Sequence, residues 1–452
     1  AGTIDRHPQG VAWHLEQAAM ASLDLNPQDR TLAERAVDAL AHAGDVARWR
    51  IESRTAIDLY DRALAMAGDE SAWSTREARI LSTRGEAQYW LGRFDDAAAS
   101  LSRALEVGTE DVWTVAHASR FLGDIELNVL ARPDTAAVLF ERAIEASMEL
   151  DDPMAMSRTL LMAAWVPYWR GEYETTRSMF ERALQLARES PEGDRWAEAR
   201  ALTSLTSVIS PVGDEHEALE LAREALELGR AMRDPFTIAV AQQSIANSCR
   251  RMLELEDAHR YAEQATRTFH DLGARWEEAS AQSDRGAIRR LLGDLDGAEQ
   301  DLRETIRISR ELGERTLPTW TVDRLVLVLV MKGEFAKARA EVTEAIDSLD
   351  PDDPTFRDTF LTSDVLLLLL EGEADQARER AARLLEGARE DGQRNEVAST
   401  TWWLARLFGP ELVGGEDVAE EARATLEKAG WVQFVREPDL VLEALGRAAE
   451  GA

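Results

Sequence analysis

Apolar and small side chains in this chain fall into blocks that recur about every 40 positions. Each block carries a small or apolar residue, an acidic turn, and then an alanine opening an amphipathic helix. The clearest copies are Leu91-Gly92-Arg93-Phe94-Asp95-Asp96-Ala97, Leu292-Gly293-Asp294-Leu295-Asp296-Gly297-Ala298 and Lys332-Gly333-Glu334-Phe335-Ala336-Lys337-Ala338. Aligning on the alanine gives Ala56, Ala97, Ala136, Thr176, Ala218, Ala258, Ala298, Ala338 and Ala377, with gaps of 41, 39, 40, 42, 40, 40, 40 and 39. Four residues further on stands an apolar or small side chain, and at seven another small one, as in Ala97, Leu101, Ala104 and Leu105, or Ala136, Phe140, Ala143 and Ile144. That spacing marks one face of a 3.6-residue helix. Twelve positions before the alanine, at Gly44, Gly85, Ala164, Ala246 and Gly286, small residues mark a preceding helix and let the two approach closely. The pattern predicts an all-α chain of antiparallel helix pairs, each helix roughly 15 to 20 residues or about 22 to 30 Å long.

Punctuation between pairs is of the expected kind: Asp151-Asp152-Pro153, Ser190-Pro191-Glu192-Gly193-Asp194 and Asp350-Pro351-Asp352-Asp353-Pro354. No long Gly/Ser- or Pro-rich linker divides the array. The expected organisation is an N-terminal capping region over 1–30 with a helix around Val11 to Leu23, nine helix pairs over 31–390, and a degenerate C-terminal capping repeat over 391–452. In that last part Gly409-Pro410 and Gly414-Gly415 interrupt the pattern before a final helix from about Val418 to Lys428.

The order small residue, turn glycine, alanine, bulky apolar, alanine resembles the tetratricopeptide repeat, over about Thr31 to Glu390. The repeat is longer than the usual length of about 34 residues. The resemblance implies a right-handed superhelical solenoid whose concave wall is built by the first helix of each pair. Carrying the family's concave positions over gives Arg79, Ser82, Glu86 and Tyr89, then Arg158, Leu161, Trp165 and Tyr168. Later repeats supply Arg200, Thr203 and Ser207, then Gln243, Asn247 and Arg250, then Ser283 and Arg290. Extended repeats of this kind are typical of bacterial signalling regulators. The opening Val11-Ala12-Trp13-His14-Leu15-Glu16-Gln17-Ala18, followed by Ala41-His42-Ala43-Gly44-Asp45, is similar to the start of the helical-repeat arm of large bacterial signal-transduction ATPases. That likeness implies a regulatory arm that docks a protein or peptide in its concave groove, or alternatively a sensor that takes a small-molecule effector in the superhelix lumen.

Charge narrows the partners. Lys and Arg number 52 against 84 Asp and Glu, a formal charge of −32. Such a polyanion repels phosphates, so direct nucleic acid binding is not expected. The apolar runs Leu325 to Met331 and Val365 to Leu370 are far short of the roughly 20 residues that cross a bilayer, so no membrane association is expected. One cysteine, Cys249, excludes an intrachain disulfide and suits a reducing cytoplasm. Ala1 to Pro8 lacks both an initiating methionine and an apolar signal region, which suggests a segment cut from a longer chain.

No phosphate-binding or dinucleotide glycine motif is present, and the seven histidines show no metal-ligand spacing. Clusters such as Glu215, Glu217 and Glu220 follow helical surface spacing. The expectation is therefore a non-enzyme without cofactor or metal. Arg158, Arg200, Arg250 and Arg290, with Gln243 and Asn247, are candidates to recognise an anionic or amide-bearing segment through guanidinium–carboxylate contacts. The competing role is an ion pair to an acid on a neighbouring helix. Trp165 and Trp169, near Tyr168, are candidates for a ligand-facing aromatic patch, whereas Trp73, Trp113, Trp196 and Trp276 recur near helix starts as packing residues. Trp402, Trp403 and Phe408 either close the C-terminal cap or pair two copies as a homodimer.

Overall fold

The computed structural model describes residues 7–50, 52–67, 74–189, 194–313, 316–348, 361–391 and 394–450. Trp73, residues 190–193 and the 350–354 loop, all singled out in the sequence, lie outside the described residues. Among the described residues there are helices and turns and no strand. The first helix, α1 (Pro8–Leu25), packs on the first of nine successive pairs. These pairs are α2 (Thr31–Trp49) with α3 (Ser53–Ala67), α4 (Ser74–Trp90) with α5 (Phe94–Val107), and α6 (Val112–Asp124) with α7 (Pro133–Glu149). In the fourth, a first helix broken into α8 (Pro153–Ala163) and α9 (Trp165–Trp169) precedes α10 (Tyr173–Glu189). Then come α11 (Arg195–Val212) with α12 (Glu215–Met232), α13 (Pro235–Arg251) with α14 (Leu255–Leu272), and α15 (Arg275–Leu292) with α16 (Leu295–Leu312). The last two are α17 (Thr316–Met331) with α18 (Phe335–Ser348) and α19 (Leu361–Leu370) with α20 (Ala374–Asp391).

The repeat register explains the packing. All nine aligned positions, eight alanines and Thr176, are fully buried near the start of the second helix of a pair. Sixteen residues separate the small position of the first helix from the bulky one of the second. A Cβ added at Gly44 would sit 2.6 Å from the Tyr60 ring, at Gly85 2.6 Å from Leu101 Cγ, and at Gly286 2.8 Å from Leu302 Cγ. In two other pairs the volumes trade: where the first position enlarges to Thr206 or Val365, the second shrinks to Ala222 or Ala381, while Ala246 faces Ala262 and Val326 faces Val342. In the third pair a π turn over Ile125–Val129 inserts one residue, so the glycine moves to thirteen before the alanine. Gly123 there faces the Phe140 ring, with an added Cβ at 3.0 Å.

Turns within most pairs are equally regular, Gly213 with its φ of −120° being an exception. The position five before the alignment alanine has positive φ at Gly92, Ala131, Gly171, Leu253, Gly293, Gly333 and Gly372. A left-handed residue is the usual way to stop a helix and turn back, and glycine adopts it without a Cβ clash. Aspartates start many helices: Asp111, Asp194, Asp214, Asp234 and Asp294 each accept a hydrogen bond from a backbone N–H of the first turn.

The chain divides into two compact units, Ala1–Ala163 with Leu272–Ala274, and Ala164–Asp271 with Arg275–Ala452. The main division falls at the break between α8 and α9, where Pro167 supplies no N–H to continue the helix. In the second unit the pairs give way to α21 (Arg394–Phe408), a 3-10 turn (Pro410–Val413), α22 (Glu416–Lys428) and α23 (Val432–Glu450). That is one helix beyond the final one expected from sequence. Among the described residues no helix is long and apolar enough to cross a membrane.

The close contact makes a double-substitution prediction. Gly286→Val should destabilise the chain by about 1–3 kcal/mol through overpacking. Leu302→Ala should cost about 2–5 kcal/mol through the cavity it leaves. The double variant should cost less than the sum of the two, measured by urea denaturation; strict additivity would contradict the contact.

Candidate functional site

Within the second unit, α13 neighbours α15 and α15 neighbours α17, and the surface they share carries polar side chains where a core would be apolar. Asp284 organises it. Its Oδ2 accepts from Gln243 Nε2 at 2.8 Å and from Asn247 Nδ2 at 2.9 Å, while its Oδ1 accepts from Arg324 Nη1 at 3.0 Å. Burial pushes the Asp284 carboxyl up, but Arg324, the two amides and Arg250 outweigh it and hold the group below its usual range. Arg324 also donates to Ser283 Oγ at 2.9 Å, and Gln243 to Ser280 Oγ at 3.0 Å. Beside them Asp323, pushed up to about 6 mainly by burial, accepts a hydrogen bond from Ser363.

This floor is occupied by the chain's own last helix. Arg250 Nη1 donates to Gln433 Oε1 at 2.5 Å, and Arg290 is ion-paired with Glu437. All four side chains are buried: Arg250 is 6% exposed, Arg290 3%, Gln433 2% and Glu437 4%. Burial, with Arg251 and Arg324 nearby, pulls the Arg250 pKa below its ordinary value. At the start of α23 the Arg251 guanidinium lies 5.7 Å over the Trp431 ring and pairs with Glu215 at 3.3 Å. The Glu215 backbone N–H donates to Ala429 O at 3.0 Å. Further along, Val441 is buried in one apolar cluster with Leu325, Leu329, Leu366 and Trp403. Three buried donors at this contact lack any partner: Nε of Arg250, Nε of Arg290 and the indole N–H of Trp431.

Gln243, Asn247, Arg250 and Arg290 thus meet on one floor. Arg200 is half-buried on α11. Trp165 and Tyr168 join an edge-to-face aromatic group with Phe180, Trp169 and Tyr173, with centroids 5.1 to 5.5 Å apart. Burial, reinforced by Glu396, pushes the Tyr168 phenol up to about 12. Trp402 donates from its indole to Val435 O at 2.9 Å, Trp403 is buried, and Phe408 packs on the neighbouring cluster, so this cap is turned inward. Cys249 is buried, and its thiol is pushed up to about 12 by burial and Glu254, which leaves it protonated and inert. The arginines on the outer surface around Arg303, Arg307 and Arg310 pair with Glu341, Glu311 and Glu344.

The first unit has its own polar face. Arg79 makes a two-pronged pair with Asp111, at 2.9 and 2.7 Å, and lies 5.7 Å over Trp113. The Tyr89 hydroxyl donates to Asp124, and Arg158 lies 5.5 Å over Trp49. Between them is a network that histidine spacing alone did not signal: His117 Nδ1 is 2.7 Å from Ser82 Oγ and Nε2 is 2.9 Å from Glu86. Arg48 Nη1 donates to the same Glu86 oxygen at 2.9 Å. Burial, against the pull of Glu86, lowers the His117 pKa to about 4. A neutral ring then accepts from the Ser82 hydroxyl and donates to Glu86. Burial pushes Glu86 up, but Arg48, His117 and Arg120 together hold its carboxyl below the usual range. The order serine, histidine, acid matches that of a hydrolytic triad, yet Ser82 is fully buried.

The residues that sequence reasoning missed are Asp284, Arg324, Gln433 and Glu437. Register offers a signal for two of them, because Asp284 and Arg324 both stand fourteen before an alignment alanine. Arg250 and Arg290 likewise share the position eight before it, with Tyr89 and Tyr168.

No family model matches the sequence, and no curated protein matches it. The likeness is to solved structures. A Rap protein complexed with competence and sporulation factor superposes with TM-score 0.53 at 12% identity, covering 83% of this chain and 99% of that one. A Rap conjugation gene regulator of the plasmid pLS20, in complex with a Phr peptide, gives TM-score 0.50 at 15% identity, covering 83% and 98%. A signal transduction ATPase with numerous domains and a tetratricopeptide repeat sensor, from Pyrococcus horikoshii, gives 0.43 at 17% identity, covering 74% of this chain and 52% of that one. The chain has the tetratricopeptide-like helical-repeat fold that the Rap proteins share.

The His117 network predicts an acid-sensitive first unit. A folded pKa below the ordinary 6.5 means the unfolded chain binds the proton more readily. The contribution is therefore complete above about pH 6.5 and is lost as pH falls toward 4. Depression of Glu86 extends the loss to lower pH. His117→Gln, which can keep both hydrogen bonds without titrating, should flatten the pH dependence of the urea midpoint between pH 6.5 and 4. An unchanged slope would contradict the assignment.

Proposed function

We propose that the chain is a non-catalytic protein- or peptide-binding scaffold, acting as the regulatory arm of a larger bacterial signalling protein. The observation that carries this is the floor of Gln243, Asn247, Arg250 and Arg290, which accepts a helix through side-chain hydrogen bonds and an ion pair. A surface that packs one helix by side-chain recognition has the chemistry to pack another. Two proteins with the same fold at low identity were solved with competence and sporulation factor or a Phr peptide bound, which agrees with this reading. Catalysis finds no support in the described residues, where the serine of the serine–histidine–acid set is fully buried and no group of three His, Cys, Asp or Glu is placed to hold a metal. On charge, the partner surface should be protein and not nucleic acid, since −32 opposes phosphate.

A thermal-shift screen of the purified chain against acidic helical peptides, sugars, nucleotides and signalling metabolites tests the proposal. Peptide at about 100-fold excess over Kd should stabilise the chain by roughly 2.7 kcal/mol. The shift should be lost with Arg290→Ala if the ligand uses the second unit's floor, and with Arg158→Ala if it uses the first unit's face. A shift by metabolites alone would replace this reading with that of a small-molecule sensor.

A further inference from the structure

We infer that the floor of α13, α15 and α17 is a docking site for an acidic amphipathic helix of a partner protein, and that α23 is its resident, displaceable occupant. The inference rests on the binding reading above and names the partner's chemistry. On α23, Gln433, Glu437 and Val441 follow one another at four-residue steps and so share one helix face. They meet in turn Arg250, Arg290 and the apolar cluster around Leu325 and Leu329. The ligand the floor selects is therefore a helix presenting an amide, a carboxylate and an aliphatic side chain in that order. Each arginine reads one position, and the charged pair demands an acid at the middle one.

Two observations make the occupant displaceable and not a fixed part of the core. The first lies in the fit. Arg250 Nε and Arg290 Nε are buried with no acceptor, so α23 satisfies the floor incompletely, and the entering segment buries its own Trp431 Nε1 without one. A buried donor left unmade is costly, and a ligand supplying acceptors there binds better than α23 does. The second lies in α23 itself, which carries Pro438 in its interior. Proline removes one helical hydrogen bond, crowds the carbonyl of Phe434, and disfavours the helical conformation of the residue before it, which is Glu437. The anchoring acid thus sits at the weakest point of its own helix.

Much of the floor is held without α23. Gln243, Asn247 and Arg324 are held by Asp284, and Arg250 keeps a contact to Asn247 Oδ1 at 3.4 Å. When α23 leaves, the amides, Arg324 and Arg250 keep these contacts, while Arg290 retains a contact to Met331 Sδ at 3.9 Å. The apparent affinity for a partner helix is then reduced by the fraction of chains whose floor is open. Weakening the α23 anchor raises that fraction.

The test uses the full chain and a fluorescent peptide copying residues 429–446, read by fluorescence polarisation. Glu437→Gln in the chain keeps the side-chain shape while weakening the anchor, and should bind the peptide at least tenfold more tightly than the parent. The gain should vanish when Arg290→Ala is added to the chain or Glu437→Ala is made in the peptide. If Glu437→Gln does not fold, Gln433→Ala replaces it, with at least a threefold gain expected. Equal affinity for parent and variant, or binding indifferent to Arg290, would overturn the inference. So would absence of binding to a variant that unfolds as cooperatively as the parent, which would make α23 a permanent element. A peptide from the thermal-shift screen that ignores Arg290→Ala sinks this inference alone, whereas failure of every peptide in that screen sinks the binding reading with it.

Discussion

Where the two helices of a pair cross at a glycine, there is no room for a Cβ. At Gly44, Gly85 and Gly286 an added methyl would lie 2.6 to 2.8 Å from the side chain sixteen residues later, inside van der Waals contact. This steric constraint sets how closely these pairs close, and the fully buried alanine four residues before the bulky partner closes the rest of the gap. In several pairs volume trades across the contact: glycine faces tyrosine or leucine, and alanine answers threonine or valine. Even the π turn of the third pair obeys it, since the extra residue displaces Gly123 by one position and the glycine still meets Phe140. Interiors packed to crystal-like density leave little slack for any other register.

With apolar surface committed to these contacts, the face of the first helices is free to carry other chemistry. In a chain with a large excess of acids, the second unit nevertheless gathers buried Arg250 and Arg290 and half-buried Arg324 within one network. Burying charge is tolerable only with paired, hydrogen-bonded partners. Asp284 supplies them for Arg324 and the amides, while Arg250 and Arg290 reach outside the repeats to Gln433 and Glu437. Two of the three arginines thus depend on a helix that is not part of the stack, which links the structure of the floor to whatever occupies it. The first unit solves the same problem internally, with Glu86 shared between Arg48 and a neutral His117.

Much of this was legible in the sequence for a simple reason: a repeat displays the same fully buried small position nine times. The alanine register placed every second helix, and the small residues at Gly44, Gly85 and Gly286 announced the close approach. Gln243, Asn247, Arg250 and Arg290 were legible as a polar face because they interrupt an otherwise apolar periodicity. Their partners were not, because Gln433 and Glu437 lie 183 and 147 residues away from Arg250 and Arg290 in a segment outside the repeat. Helix α23 itself was hidden by Gly430, whose φ of +76° ends the previous helix, and by Pro438, which reads as a breaker. Arg79 shows the opposite case, where the acid that occupies it, Asp111, caps the helix of the next repeat.

The most direct test of the central claim, that the polar floor holds a separable helix, is native-state hydrogen exchange on the full chain, resolved by residue. The account predicts that amides of α23 between Phe434 and Ala444 exchange through an opening with markedly lower free energy than those of α13, α15 and α16, which remain protected to the global limit. Exchange of α23 at the same global free energy as those helices would contradict it, and would make the last helix an inseparable part of the core.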